Sequence, residues 1–103
     1  MLNSVIVVDD EASIRSAVEQ WLSLSGFAVQ LFSCAEDCLR QLPPHFAGVV
    51  VSDVRMPGMG GLALLSQLQQ LDPDLPVILL TGHGDVPMAV EAMRDGAYDF
   101  LEK

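Results

Sequence analysis

The sequence predicts one α/β domain in which five parallel strands alternate with helices. Two observations carry this prediction. Strand-length apolar runs recur along the chain, and segments with apolar residues at helical spacing separate them. Three of the runs are apolar almost throughout, as is typical of parallel strands covered on both faces. The 103 residues suffice for a single small domain.

Each element has its own local signals. The predicted strands cover residues 4–8, 28–32, 48–52, 76–80 and 98–102. The first predicted helix runs from Ser13 to Leu24, and Gly26 is its C-terminal stop signal. A second helix is predicted over 34–42, with Ser33 and Glu36 forming a capping box at its start and the prolines at 43 and 44 ending it.

The remaining helices follow the third and fourth strands. Leucines between Leu62 and Leu71 mark the third helix, which ends near Pro73. Asp85 opens the fourth helix, which has a proline just inside its start and stops at Gly96. Because the first, third and fourth strands are the most apolar, we expect them in the centre of the sheet. The flavodoxin-like order 2-1-3-4-5 meets this condition.

Composition and charge exclude several classes of protein. Asp and Glu total 14 against 5 Lys and Arg, and the net charge of -9 repels nucleic acid phosphates, so no direct nucleic acid contact is expected. No apolar run approaches the roughly 18 residues of a membrane span, and the N-terminus lacks the basic lead-in of a signal peptide. Cys34 and Cys38 are expected to be reduced thiols in a cytoplasmic protein, with no zinc site.

Chemically active side chains follow the carboxyl ends of the predicted strands, where ligands of open α/β sheets bind. In chain order these side chains are Asp9, Asp10, Asp53, Thr81 and Lys103. Neighbouring strands lie about 4.8 Å apart, so the groups can converge. Clustered carboxylates repel one another, and a divalent cation relieves that repulsion. Oxygen ligands without Cys or His favour Mg²⁺ over zinc.

The same pocket is suited to a phosphoryl group. Asp53 is the best candidate nucleophile, because it stands alone at the end of the central strand while the acidic pair is placed to hold the metal. The Thr81 hydroxyl and the Lys103 ammonium can hold phosphoryl oxygens. The turn after Asp53 leaves a backbone carbonyl, that of Arg55, for the metal.

These features resemble a known family over the whole chain. The motifs are VVDDE, VVVSDVRMPGMGGLALL, VILLTGHGD and AVEAMRDGAYDFLEK. They are similar to the receiver domain of two-component response regulators. The resemblance implies that Asp53 accepts a phosphoryl group from a histidine kinase, and that Asp9, Asp10, Asp53 and the Arg55 carbonyl bind Mg²⁺. It implies a signalling domain that catalyses its own phosphorylation and dephosphorylation, without turnover of a separate substrate.

The resemblance also implies further roles. Thr81 matches the switch hydroxyl, Phe100 the switch aromatic and Lys103 the phosphate-contacting lysine. Arg55 and His83 stand two residues after Asp53 and Thr81, at positions that border the phosphate and tune its loss.

The stretch TGHGDVPMAVEAMRDGAYDFLEK indicates a subfamily. It is similar to the receivers of NtrC-like activators of sigma-54 promoters, above all those that control C4-dicarboxylate transport. Residues 1–103 would then be the N-terminal part of a longer transcriptional regulator. The expected partners are the effector domain of that regulator and a second copy of the chain in a homodimer. FixJ-type nitrogen-fixation regulators are the alternative, and a receiver-like interaction domain that takes no phosphate is another.

The family normally continues past the lysine with a proline and a fifth helix, whereas this chain stops at Lys103. We therefore expect the last helix to be lacking and one face of the sheet to be covered by the first helix alone. Exposed strand residues on that face would favour dimerisation, swapping or aggregation. A phosphatase of the haloacid dehalogenase type is disfavoured, because its second Asp would stand where Arg55 is.

Overall fold

The structure is a computed structural model that describes residues 3–103, except for the side chain of His83. Its strands are β1 (Ser4–Val8), β2 (Ala28–Phe32), β3 (Gly48–Asp53), β4 (Val77–Thr81) and β5 (Asp99–Glu102). Its helices are α1 (Ala12–Leu24), α2 (Ala35–Gln41), α3 (Gly61–Leu71) and α4 (Val86–Arg94). A 3-10 turn over His83–Asp85 leads into α4.

The five strands form one sheet in the order β2-β1-β3-β4-β5, and all four pairings are parallel. The predicted fold class and strand order are therefore confirmed. Several strand boundaries differ from the prediction by one residue, and two of these differences concern the site. Asp53 is the last residue of β3 and pairs with Leu80, while Thr81 is the last residue of β4 and pairs with Glu102. The hydrogen-bonded ladder thus fixes the backbone of both residues.

The predicted capping box at the start of α2 is wrong. Cys34 occupies the cap position and no side chain caps the helix. The reason is that the Glu36 carboxylate has another partner: its Oε2 accepts a hydrogen bond of 3.4 Å from the backbone N–H of Met59. Asp85 lies at the predicted start of α4, but its side chain also makes no cap bond. Both acids instead contact the loop that follows β3.

The core has two parts, one on each face of the sheet. The larger part joins β1, β3 and β4 to α2, α3 and α4, and its fully buried members include Ile6, Leu64, Leu68 and Leu79. The smaller part is built from Val5, Val7, Val51 and Leu80, against which side chains of α1 pack. Within the described residues, α1 is thus the one helix in the smaller cluster, as expected from the sequence.

That face is only partly covered among the described residues. Leu101 of β5 shares the face with Leu80 through their register, yet it is 47% exposed. The side chains of α1 are also not fully enclosed, and Trp21 near its end is 64% exposed. Among residues 3–103, no helix combines the length and the apolar character that crossing a bilayer requires.

Candidate functional site

Three carboxylates meet at the carboxyl edge of the sheet. One oxygen each of Asp9, Asp10 and Asp53 lies within 4.8 Å of the other two. Asp9 follows β1 directly, and its N–H donates to the Phe32 carbonyl at 3.1 Å, which continues the ladder toward β2. Because β1 and β3 are neighbours, Asp9 and Asp53 reach the same point. The sequence prediction that these acids converge agrees with this geometry.

The burial of the three acids differs. Asp9 is fully buried and Asp53 nearly so, while Asp10 is exposed. The Asp9 Oδ1 atom accepts a hydrogen bond of 2.9 Å from the Glu11 N–H. Its Oδ2 atom is also buried and pairs with the Lys103 ammonium group. A set of three carboxylates without Cys or His fits the preference of Mg²⁺ for hard oxygen ligands.

Lys103 brings an ammonium group to the same cluster. Its Nζ lies 3.0 Å from Asp53 Oδ2 and 3.1 Å from Asp9 Oδ2. The Lys103 N–H donates to the Thr81 carbonyl at 2.8 Å, so a backbone bond to β4 sets the residue just beyond β5. The sequence-predicted lysine therefore contacts the predicted acceptor and one member of the acidic pair.

The electrostatics of the cluster are unbalanced. Burial raises the pKa of Asp53, and the charge of Asp9 raises it further, although Lys103 and the Arg55 N–H oppose this. Burial by itself would lower the pKa of Lys103, but its hydrogen bonds to Asp53 and Asp9 leave that pKa raised. Ionised Asp53 is thus less favourable here than in water. Added positive charge at the cluster would reverse this.

The loop after β3 brings Arg55 against the acceptor. The Arg55 N–H donates to Asp53 Oδ1 at 3.4 Å, so the backbone of Arg55 borders the cluster. The side chain runs in another direction: its Nε donates to Asp85 Oδ1 at 2.6 Å. Gly61 begins α3 at the other end of the loop, and a Cβ there would collide with the backbone carbonyl of Asp53. The loop is therefore packed tightly against the acceptor.

The predicted switch residues lie nearby. Thr81 is fully buried, and its hydroxyl donates to the Gly82 carbonyl at 3.1 Å rather than to an acid of the cluster. Phe100 of β5 is partly buried and packs against the larger core cluster. The prediction for His83 concerns a side chain that lies outside the described residues.

Sequence reasoning missed two acids that shape the site. It assigned Asp85 and Glu36 only to helix starts, whereas both contact the loop after β3. They lie 30 and 23 residues from their partners in that loop. No local pattern marks such distant contacts, although a Gly-rich and Pro-rich turn beside a pocket needs side-chain partners for its free N–H groups.

The fold and the site define the class of protein. The response regulator receiver domain family matches residues 5–103. The chain therefore belongs to this family, as its motifs predict.

Within this family, the chain is similar to curated transcriptional regulatory proteins. The chain is 56% identical over 100 residues to the C4-dicarboxylate transport transcriptional regulatory protein DctD of Rhizobium meliloti, covering 97% of the chain and 22% of that protein. It is 48% identical over 99 residues to the transcriptional regulatory protein FixJ of Bradyrhizobium diazoefficiens, covering 96% of the chain and 48% of that protein. The chain thus spans between about a fifth and a half of these relatives.

Solved structures agree with the fold. Full-length FixJ from B. japonicum superimposes with a TM-score of 0.91 at 48% identity, covering 98% of this chain and 50% of that one. A response regulator receiver domain protein from Clostridium thermocellum gives a TM-score of 0.92 at 34% identity, covering 99% of this chain and 82% of that one.

Proposed function

We propose that this chain accepts a phosphoryl group on Asp53 from a histidine kinase, in a Mg²⁺-dependent step. The observation that carries the proposal is the cluster itself. Asp53 ends the central strand within 4.8 Å of both members of the acidic pair, and Lys103 Nζ lies 3.0 Å from its Oδ2. A buried carboxylate beside other acids and one ammonium is a poor structural ion pair. It is a suitable acceptor once a metal ion adds positive charge.

The transfer step follows from these positions. A carboxylate oxygen of Asp53 attacks phosphorus, and the bond from phosphorus to the donor imidazole nitrogen breaks. The electron pair returns to that nitrogen, which takes up a proton, and an aspartyl phosphate remains. Mg²⁺ held by Asp9, Asp10, Asp53 and the Arg55 carbonyl would neutralise the phosphoryl oxygens. The Lys103 ammonium, which now pairs with the carboxylates of Asp9 and Asp53, would instead bind a phosphoryl oxygen.

Loss of the phosphoryl group to water belongs to the same site. Arg55 borders Asp53 through its backbone and can admit or exclude the attacking water. His83, two residues beyond Thr81, is proposed to share this tuning role on the strength of its sequence position. We expect substitutions at either residue to change the rate of dephosphorylation more than the stability of the fold.

The proposed switch uses Thr81 and Phe100. The Thr81 hydroxyl now donates to a neighbouring carbonyl, and a phosphoryl oxygen would be a stronger, charged acceptor. If the hydroxyl moves, Phe100 can fill the space it leaves. Large apolar side chains are exposed on α4 and between α4 and β5: Val90, Met93 and Tyr98. This surface is the proposed contact for the effector domain or for a second copy in a homodimer.

The wider role is that of a transcriptional regulator. We propose that residues 1–103 are the N-terminal receiver of a longer protein, because the relatives are longer and carry regulatory names. Control of sigma-54-dependent C4-dicarboxylate transport genes is favoured, since the identity to DctD is 56% against 48% for FixJ. A FixJ-type role is the second candidate. The net charge of -9 disfavours nucleic acid and anionic membrane surfaces as ligands of this domain. The partner proposed here is a protein, and the location proposed is the cytoplasm.

Intact-mass measurement tests the proposal. The chain is incubated with acetyl phosphate and Mg²⁺, and we expect the mass to rise by one phosphoryl group. The gain should be absent in Asp53→Asn and in the presence of a chelator. Asp74→Asn, which removes an exposed acid remote from the cluster, should retain it. An unchanged mass in a folded sample would instead support a receiver-like domain that takes no phosphate.

A further inference from the structure

The side chain of Arg55 links the loop after β3, called the acceptor loop below, to the start of α4. Its Nε lies 2.6 Å from Asp85 Oδ1, and its Nη2 lies 3.5 Å from the Met88 sulfur. The guanidinium side chain is 69% exposed, whereas the Asp85 side chain is only 15% exposed. The pair therefore joins an exposed cation at the surface to an acid that is largely buried.

The position of Asp85 gives this link its importance. Asp85 ends the 3-10 turn that follows Thr81 and Gly82, and α4 begins at the next residue. Its N–H donates to the Gly82 carbonyl at 3.0 Å, the same carbonyl that the Thr81 hydroxyl contacts. A change in the contacts of the Asp85 carboxylate can thus be passed to Thr81, which carries the proposed switch hydroxyl.

Arg55 is also next to the place where a phosphoryl group would form. Its N–H already donates to Asp53 Oδ1. A phosphoryl group adds a charge of about -1.5 to -2 and three strong acceptor oxygens. Guanidinium binds such oxygens in pairs, whereas Asp85 now holds it through the Nε atom. The phosphoryl group is therefore the stronger of the two partners for this side chain.

We propose that Arg55 is a two-position cation that couples the acceptor to α4. It pairs with Asp85 while Asp53 is a free carboxylate, and it moves to the phosphoryl oxygens once Asp53 is modified. The Asp85 carboxylate then loses Arg55 as its partner. The segment from Thr81 to Met88 is then no longer tied to the acceptor loop through Arg55. This inference rests on the proposed function, because it assumes a phosphoryl group on Asp53.

The Arg55–Asp85 ion pair must break before Arg55 can bind the phosphoryl group. Asp85 is therefore expected to disfavour the phosphorylated state. Beryllofluoride with Mg²⁺ serves as a non-covalent phosphoryl analogue whose dissociation constant can be measured by calorimetry. Asp85→Asn should tighten its binding roughly two- to fivefold, the range that a partly exposed ion pair supplies. Arg55→Ala should weaken binding, and adding Asp85→Asn to Arg55→Ala should have no further effect.

The control is Asp95→Asn, which removes an equal charge from the exposed end of α4 and should leave the affinity unchanged. In the free chain without metal, Asp85→Asn should also speed amide exchange between Gly84 and Met88. The inference is overturned if Asp85→Asn does not tighten binding, or tightens it equally without the Arg55 side chain. A wild-type chain that binds no beryllofluoride and takes no phosphoryl group overturns the proposed function as well, so the two failures are distinguishable.

Discussion

Charge crowding at the acidic cluster predicts that Asp53→Asn stabilises the metal-free chain. Asp53 is the last residue of β3, is buried, and shares the cluster with two other acids and one ammonium. Asparagine keeps the shape of the side chain and removes its charge. If the acid is present for chemistry and not for the fold, its removal should raise stability.

The magnitude follows from the distances. Two ionised carboxylates within 4.8 Å of each other repel by at least about 3.5 kcal/mol at an effective dielectric constant near 20. The Lys103 ammonium at 3.0 Å attracts Asp53 by about 5.5 kcal/mol on the same scale. Repulsion by Asp9 and by the solvent-screened Asp10 therefore roughly balances this attraction, and burial of the Asp53 charge decides the sign. We expect a gain of about 1 kcal/mol, which raises the Tm of a chain of this size by roughly 4–8 °C.

The pH dependence provides a second check. The pKa of Asp53 in the folded chain is raised above its ordinary value of 3.8, mainly by burial. Below that ordinary value the carboxyl is protonated in both folded and unfolded chains, and it carries no penalty. As pH rises through the raised pKa, the folded chain must ionise a group that it disfavours, so wild-type stability falls relative to the variant. The advantage of Asp53→Asn should therefore vanish toward pH 4 and grow as the pH rises through the raised pKa of Asp53.

Thermal unfolding followed by circular dichroism, with chelator present, measures the effect. Asp74→Asn is the matched control, since it removes one exposed acid and should move the Tm little. Addition of Mg²⁺ should stabilise the wild type more than Asp53→Asn. A lower Tm for Asp53→Asn at neutral pH would refute the reasoning, because it would mean that the pair with Lys103 outweighs repulsion and burial.

Three further predictions concern the frame of the site. Leu64→Ala, in the centre of the larger core, should cost about 2–5 kcal/mol in urea unfolding, whereas Leu24→Ala, at an exposed position, should cost almost nothing. Gly61→Ala should destabilise by about 1–3 kcal/mol and slow phosphorylation by acetyl phosphate, because the new methyl group collides with the carbonyl of the acceptor; normal stability and rate would contradict this. Burial raises the pKa of Cys38 to about 11, so iodoacetamide at pH 8 should label Cys34 first and Cys38 only in denaturant.

The sheet could be predicted because its signals are local or concern burial. The nearly uniform apolar runs of β1, β3 and β4 distinguish them from the alternating β2 and place them in the centre of the sheet, a condition that the flavodoxin-like strand order meets. The meeting of Asp9 and Asp53 follows from the same inference, since both stand at the carboxyl ends of neighbouring parallel strands. Fold and acidic cluster were therefore accessible from one pattern.

The partners of the loop after β3 were not accessible in this way. Glu36 stands three residues after Ser33, and Asp85 stands just before a helix with an early proline, so both match local capping patterns. In the structure their carboxylates contact Met59 and Arg55 instead. These groups meet because α2 and α4 pack beside that loop, and this packing cannot be predicted from the spacing of residues in the sequence.

Calorimetric titration with Mg²⁺ tests the central claim most directly, because it measures whether the three acids act as one cation site. We expect one bound ion per chain, with affinity reduced by both Asp10→Asn and Asp53→Asn and retained by Asp74→Asn. If a folded sample binds no Mg²⁺ at millimolar concentration, or if Asp10→Asn and Asp53→Asn bind it as the wild type does, the acidic cluster is not the site proposed here.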